Sequence, residues 1–167
     1  KEALYPVVDK ICDILRDEII SDNISFPKIW YREKIDRSSG KVRRIGIQNV
    51  KQQLYDYIAV EGLKPLLKRI GEYQCASIKG RGTLGGKKAI ERWLKNKDNR
   101  YFVKLDVRKC FESIDREKLL AFLQHHIKND RLIRLICVLT DSFEQGLSIG
   151  SYLSQYLCNL YMSILYH

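Results

Sequence analysis

Apolar residues recur at helical spacing along much of the chain. From Ala3 to Ile20 they fall on one side with charges elsewhere, which predicts an amphipathic helix. Between Val50 and Leu67 the pattern predicts one or two helices, broken near Gly62 and Pro65. The same spacing predicts four further helices, at 86–96, 116–127, 130–143 and after residue 150.

Strand-forming residues occupy three stretches. Two of them, 28–35 and 41–47, flank a loop of turn formers at 36–40 and predict a β-hairpin rich in cations. The third, Tyr101–Val107, predicts a strand that carries Lys104 and Asp106 on one face. Because helices, hairpin, helices, strand and helices follow in that order, an α+β fold is favoured over an alternating parallel sheet.

Composition narrows the classes of protein that fit. The 167 residues are 45% apolar, enough for one domain with a normal core. A formal net charge of +10 favours a polyanionic partner such as nucleic acid, although a solvated basic face has the same charge. The five cysteines are scattered and indicate neither a zinc site nor a disulfide framework. Without a long apolar run or a leader pattern, we expect a cytoplasmic protein with no membrane partner.

Asp106 is the first candidate for chemistry, because it ends a mostly apolar predicted strand. A rigid strand holds a carboxylate ligand for Mg²⁺ well, yet an Asp at a strand end is more often a turn or cap residue. Asp115 precedes a predicted helix and is interpreted as its N-cap, outside any site.

The stretch Leu105–Phe111 resembles motif A of reverse transcriptases, in which a hydrophobic-Asp-hydrophobic strand end precedes an aromatic residue. The resemblance implies that Asp106 and the carbonyl of Val107 hold catalytic Mg²⁺ ions. It also implies that the ring of Phe111 packs under the incoming sugar and excludes a 2′-hydroxyl. On its own, Phe111 would be interpreted as a core aromatic.

The stretch Gly146–Tyr161 resembles motif B of the same family, a glycine turn that leads into a helix beside the template base and incoming nucleotide. The resemblance assigns Ile149, Gly150 and Gln155 to nucleotide binding. Most relatives have Gln at position 149, and the Ile is similar to reverse transcriptases of diversity-generating retroelements. Losing an amide beside the templating base predicts error-prone copying.

The hairpin sequence Gly40–Ile47 resembles a fingers motif of these enzymes. The resemblance implies that Arg43 grips the triphosphate of the incoming nucleotide, aided by Lys34 on the partner strand. Lys79 and Arg81 lie at a variant of the next fingers motif and are assigned to nucleotide or template-backbone contact. Without the resemblance, these cations would be interpreted as a solvated basic surface.

Together, these motifs imply a right-hand polymerase fold, with 1–100 as fingers and 101–167 as the N-terminal part of the palm. The implied reaction is two-metal, Mg²⁺-dependent nucleotidyl transfer with an RNA template, a DNA primer and product, and deoxynucleoside triphosphates. The family's Tyr-x-Asp-Asp hairpin and thumb would follow His167. We therefore expect the chain alone to be inactive, with an incomplete metal site and a sheet edge that promotes self-association.

Three alternatives remain open. A group II intron maturase would pair polymerisation with intron binding and would normally keep Gln at position 149. A retron-type reverse transcriptase also varies in this turn. A catalytically dead RNA-binding relative could keep the fold, although Asp106 and Phe111 favour an active enzyme.

Overall fold

The computed structural model describes residues 5–37 and 40–166 of the chain. Residues 1–4, 38–39 and 167 lie outside the described residues, and so do parts of the first predicted helix and of the hairpin loop. In chain order the elements are α1 (Tyr5–Ile20), β1 (Trp30–Ile35), β2 (Val42–Ile47), α2 (Val50–Leu67), α3 (Gly82–Leu94), α4 (Arg116–His126), α5 (Asp130–Asp141) and α6 (Tyr152–Tyr166). A mixture of helices and a small sheet confirms the α+β class.

The core lies where α2 packs against α5 and α6, with α4 against the same two helices and α1 against α5. Its fully buried side chains come from all four of the central helices. They include Tyr55, Leu63, Leu119, Leu123, Ile136, Leu139, Leu153, Leu157 and Leu160. Helix α3 packs less extensively than the central helices, because Ala89 is its one buried residue. None of the described helices has both the length and the apolarity that a membrane span requires.

Side-chain caps set the start of the central helices. Asn49 accepts a hydrogen bond from the Gln52 amide at the start of α2, and Asn129 caps α5 in the same way. Asp115 accepts from the Lys118 amide, which confirms it as the N-cap of α4 and lowers its pKa.

The predicted break in α2 was wrong, because the helix runs unbroken to Leu67. Pro65 lies in the last turn, so little of the helix depends on the hydrogen bond that proline cannot donate. Gly62 lets α5 approach, since a Cβ there would lie 2.9 Å from the methyl carbons of Leu132. Helix α3 also differs from the prediction, beginning at Gly82 rather than Gly86.

The hairpin prediction was confirmed, with β1 and β2 antiparallel and Lys34 opposite Arg43. The strand predicted at 101–107 was wrong: within the described ranges this segment is neither strand nor helix. Its apolar side chains are in solvent, with Tyr101 93% and Leu105 87% exposed. A strand is stable only when a neighbour pairs with its backbone, and β1–β2 is the one sheet among the described residues.

Candidate functional site

The turn between α5 and α6 crosses strand β2 so closely that the two backbones are in contact. The Gly46 amide donates a hydrogen bond of 2.7 Å to the carbonyl of Ile149. Gly150 has a φ of +111°, and a Cβ there would lie 2.5 Å from the Gly46 carbonyl oxygen. A Cβ on Gly46 would in turn overlap the hydroxyl of Ser148. The glycines at this crossing are therefore required by close packing.

A second contact holds the same turn to the hairpin through Arg44, which lies on the same face of β2 as Gly46. Arg44 binds the carboxylate of Glu144 with both terminal nitrogens, Nη2 lying 2.9 Å from Oε1. Its guanidinium stacks 4.5 Å from the ring centroid of Tyr31, whose hydroxyl accepts from the Glu144 amide. Sequence reasoning missed Arg44 and Glu144. The alternation of the strand gave a signal, because neighbours Arg43 and Arg44 must face opposite sides.

The segment after Asp106 forms a turn at Phe111 that contacts the turn between α5 and α6. The carbonyl of Phe111 accepts a 2.9 Å hydrogen bond from the Leu147 amide. The Phe111 side chain is half-buried and packs against the core. A cleft of about 370 Å³ remains where the three segments meet, lined by Tyr31, Arg44, Lys109, Glu112, Glu144, Gln145, Leu147, Ser148 and Ile149. The hairpin and the two turns thus form one locus.

Asp106 and Val107 are exposed on the unpaired segment that precedes this locus. Within the ranges described above, no three His, Cys, Asp or Glu side chains form a group that could hold a metal ion. Two-metal chemistry needs several oxygen ligands about the ions, so Asp106 alone does not make such a site. Among the described residues, Asp106 could therefore supply one ligand of a metal centre, and a complete centre would need further ligands.

Arg43 and Lys34 share the hairpin face opposite Arg44, above an open groove of about 560 Å³. Both Nε and Nη2 of Arg43 bind the Asp36 carboxylate, at 3.1 and 2.8 Å. An incoming phosphate would have to take the place of this carboxylate, which offers the guanidinium the same kind of oxygen acceptors. The predicted role of Arg43 is chemically consistent with this arrangement and stays a prediction.

The second pair of predicted cations lies in the loop before α3. Lys79 is exposed. Arg81 is half-buried, and its Nη1 donates to the carbonyls of Gly71 and, at 3.3 Å, Gln74. Arg81 therefore holds the loop closed, and its contact with a nucleotide or template stays a prediction. Gln155 is exposed on the first turn of α6.

Asp56 is a buried carboxylate that sequence reasoning did not select. It lies on α2, and its Oδ2 accepts hydrogen bonds from the Ser151 hydroxyl at 2.8 Å and the Leu153 amide at 3.1 Å. Burial raises the pKa of Asp56, while the hydrogen bonds from Ser151 and Leu153 act to lower it. The signal in the sequence was a carboxylate four residues after Gln52 on the buried face of an apolar helix.

Comparison with known protein families gives a match that covers most of the chain. The model of the family described as reverse transcriptase (RNA-dependent DNA polymerase) matches residues 33–167, far more than half of the chain. No curated protein is similar enough to the chain to count as a match. The matched region contains β2 and both turns of the locus.

Proposed function

Because the chain belongs to the reverse transcriptase (RNA-dependent DNA polymerase) family, we propose that it forms the fingers and first part of the palm of an enzyme that copies RNA into DNA. The observation that carries this proposal is the locus itself. The hairpin, the turn after Asp106 and the turn at Ile149–Gly150 are far apart in sequence, yet they pack together through direct backbone hydrogen bonds.

In this proposal residues 1–100 are the fingers and 101–167 begin the palm. The exposed apolar segment 101–107 supports it, because such a segment is suited to pair with further strands of a palm sheet. Those strands would come from a following Tyr-x-Asp-Asp hairpin in the parent protein. Until such strands pair with segment 101–107, its unpaired backbone is expected to let separate copies of the chain self-associate.

Enzymes of this family generally use divalent metal ions such as Mg²⁺. We propose Asp106 and the Val107 carbonyl as ligands on this chain, completed by carboxylates of the following hairpin. The parent enzyme would extend a DNA primer by attack of its 3′-hydroxyl on the α-phosphate of a deoxynucleoside triphosphate, and pyrophosphate would leave. The chain alone would be inactive. We place the enzyme in the cytoplasm, where its nucleotide substrates are available.

The basic hairpin is proposed to hold the triphosphate through Arg43 and Lys34, with Lys79 and Arg81 near nucleotide or template. Ile149, Gly150 and Gln155 would border the nascent base pair. The crossing of Gly46 and Gly150 supports this arrangement, because it fixes the hairpin directly beside the Ile149 turn.

Arg43→Ala is expected to raise the KM for an incoming deoxynucleoside triphosphate about tenfold or more, because the proposed guanidinium contact with the triphosphate is lost. Primer extension by the parent enzyme on a primed RNA template measures this KM. Arg134→Ala is the matched control, because Arg134 is also exposed and paired with an Asp, Asp22. Equal KM values in both variants would show that Arg43 belongs to a solvated surface.

Phe111→Ala is expected to raise incorporation of ribonucleotides relative to deoxynucleotides by about tenfold or more, because the ring is the proposed barrier to a 2′-hydroxyl. Single-nucleotide incorporation by the parent enzyme measures the ratio. Phe122→Ala is the control, since Phe122 is also a half-buried aromatic packed on the core. If both variants lose stability and neither changes the ratio, Phe111 is a packing residue.

We also propose that the parent is error-prone and belongs to a diversity-generating retroelement, on the basis of Ile149. This side chain is half-buried beside the locus and cannot hydrogen-bond to a base.

Ile149→Gln is then expected to lower errors opposite template adenines by about tenfold while synthesis falls less. Sequencing complementary DNA made on one defined RNA measures both quantities, and Ile149→Leu is the control that keeps an aliphatic chain. Equal, low error at all four template bases in the wild type would reject the retroelement assignment. It would favour a maturase or retron-type enzyme instead.

A further inference from the structure

Helix α2 carries a carboxylate that reaches the first turn of α6. Asp56 has no solvent exposure, and its Oδ2 accepts from both the Ser151 hydroxyl and the Leu153 amide. These donors belong to the start of α6, 95 and 97 residues further along the chain. The first turn of a helix has amides without partners inside the helix, and a negative charge there is favourable. A residue of one helix therefore caps another.

Ser151 links this carboxylate to the helix in a second way. Its hydroxyl oxygen accepts a 3.1 Å hydrogen bond from the Ser154 amide while its proton goes to Asp56. Ser151 is thus the N-cap of α6, and Asp56 orients the hydroxyl that makes the cap. All three of these side chains are buried, so water does not compete for the hydrogen bonds.

The residues just before this cap are the ones proposed to face the nucleotide. Gly150 precedes Ser151, and the Ile149 carbonyl is bound to the Gly46 amide on β2. Strand β2 ends at Ile47 and α2 begins at Val50, so Gly46 and Asp56 belong to one continuous part of the fingers. The turn is therefore held at its β2 side by Gly46 and at its α6 side by Asp56.

We propose that Asp56 is a positioning residue for nucleotide binding, which acts through Ser151 and Leu153 to fix the placement of Ile149 and Gly150. This inference rests on the proposed function, since it assigns the fingers helix α2 the task of shaping the nucleotide site. Asp56 does not touch substrate in this role. A packing contact alone would need no acceptor at this point, whereas the cap needs an oxygen that takes two donors.

The test uses the full-length parent enzyme with Asp56→Ala, Asp56→Asn and Asp115→Ala. Asp115 is the matched control, because it caps α4 by accepting from the Lys118 amide and lies outside the proposed site. Two quantities are measured for each: hydrogen exchange of the amides of Leu153 and Ser154, and kcat and KM for a deoxynucleoside triphosphate in primer extension.

We expect Asp56→Ala to exchange at least tenfold faster at Leu153 and Ser154, with KM raised at least fivefold and kcat changed less than twofold. Asp56→Asn keeps an acceptor oxygen and should recover at least half of the protection and of the KM effect. Asp115→Ala should speed exchange at the start of α4 and leave KM unchanged. If Asp56→Ala does not fold, Ser151→Ala removes the same link and takes its place.

Unchanged exchange at Leu153 and Ser154 in folded Asp56→Ala would overturn the inference, as would faster exchange with an unchanged KM. A rise in KM of equal size in Asp115→Ala would also overturn it, because general destabilisation would then explain the effect. A wild-type parent that incorporates no nucleotide would instead overturn the proposed function and the nucleotide role with it. The exchange result would still show separately whether Asp56 holds the turn.

Discussion

Asp106→Asn in the parent enzyme is expected to lower the rate of primer extension about a thousandfold or more. The carboxylate is the proposed metal ligand of this chain, and an amide binds a hard divalent cation far more weakly. Folding should be unaffected, because Asp106 is exposed and its segment lies outside the core. Primer extension on a primed RNA template, with RNA affinity measured in parallel, separates chemistry from binding.

Asp98→Asn is the matched control for this substitution. Asp98 is also an exposed carboxylate in a loop, only a few residues before Asp106. The Asp98→Asn variant should keep full primer-extension activity. Extension by Asp106→Asn within tenfold of the wild type would show that this carboxylate is not a ligand of the catalytic ions.

Gly150→Ala is expected to lower the free energy of unfolding by about 3 kcal/mol, from backbone strain and overpacking together. A φ of +111° is a conformation that alanine rarely adopts, and the new Cβ would lie 2.5 Å from the Gly46 carbonyl oxygen. A backbone oxygen cannot move aside as a side-chain end can, so the turn must separate from the hairpin. Chemical denaturation of the purified protein measures the loss.

Gly80→Ala separates the two contributions. Gly80 also has a positive φ, +81°, but a Cβ there would meet nothing within 4 Å. It should cost only the backbone strain, about 1 to 2 kcal/mol. Equal losses at both positions would mean that the crossing with Gly46 is not tightly packed.

Local features of the fold were predictable from the sequence. The hairpin was confirmed because turn formers separate two strand-like segments, and the start of α4 was confirmed because Asp115 is a good N-cap. The strand at 101–107 was not, since strand formation depends on a partner elsewhere in the chain. Pro65 misled the prediction of α2 because its effect depends on how much helix follows it.

The candidate site was likewise predictable only in part, since its motifs could be found from the sequence and its long-range contacts could not. Arg43, Phe111 and the Ile149–Gly150 turn were selected by motif resemblance. Two of the contacts that hold the turn before α6 join residues about a hundred positions apart, Arg44 with Glu144 and Asp56 with Leu153. Neither pair follows from spacing along the chain, because only the packing of the hairpin and α2 against the turn brings them together.

The most direct measurement of the central claim is primer extension by the purified parent protein on a defined RNA template with a DNA primer, Mg²⁺ and deoxynucleoside triphosphates. We predict DNA products that lengthen only when nucleotides matching the template are supplied. Residues 1–167 alone should give no extension under the same conditions. A folded parent protein that binds the primed RNA and yet adds no nucleotide would contradict the proposal that this chain is part of an enzyme copying RNA into DNA.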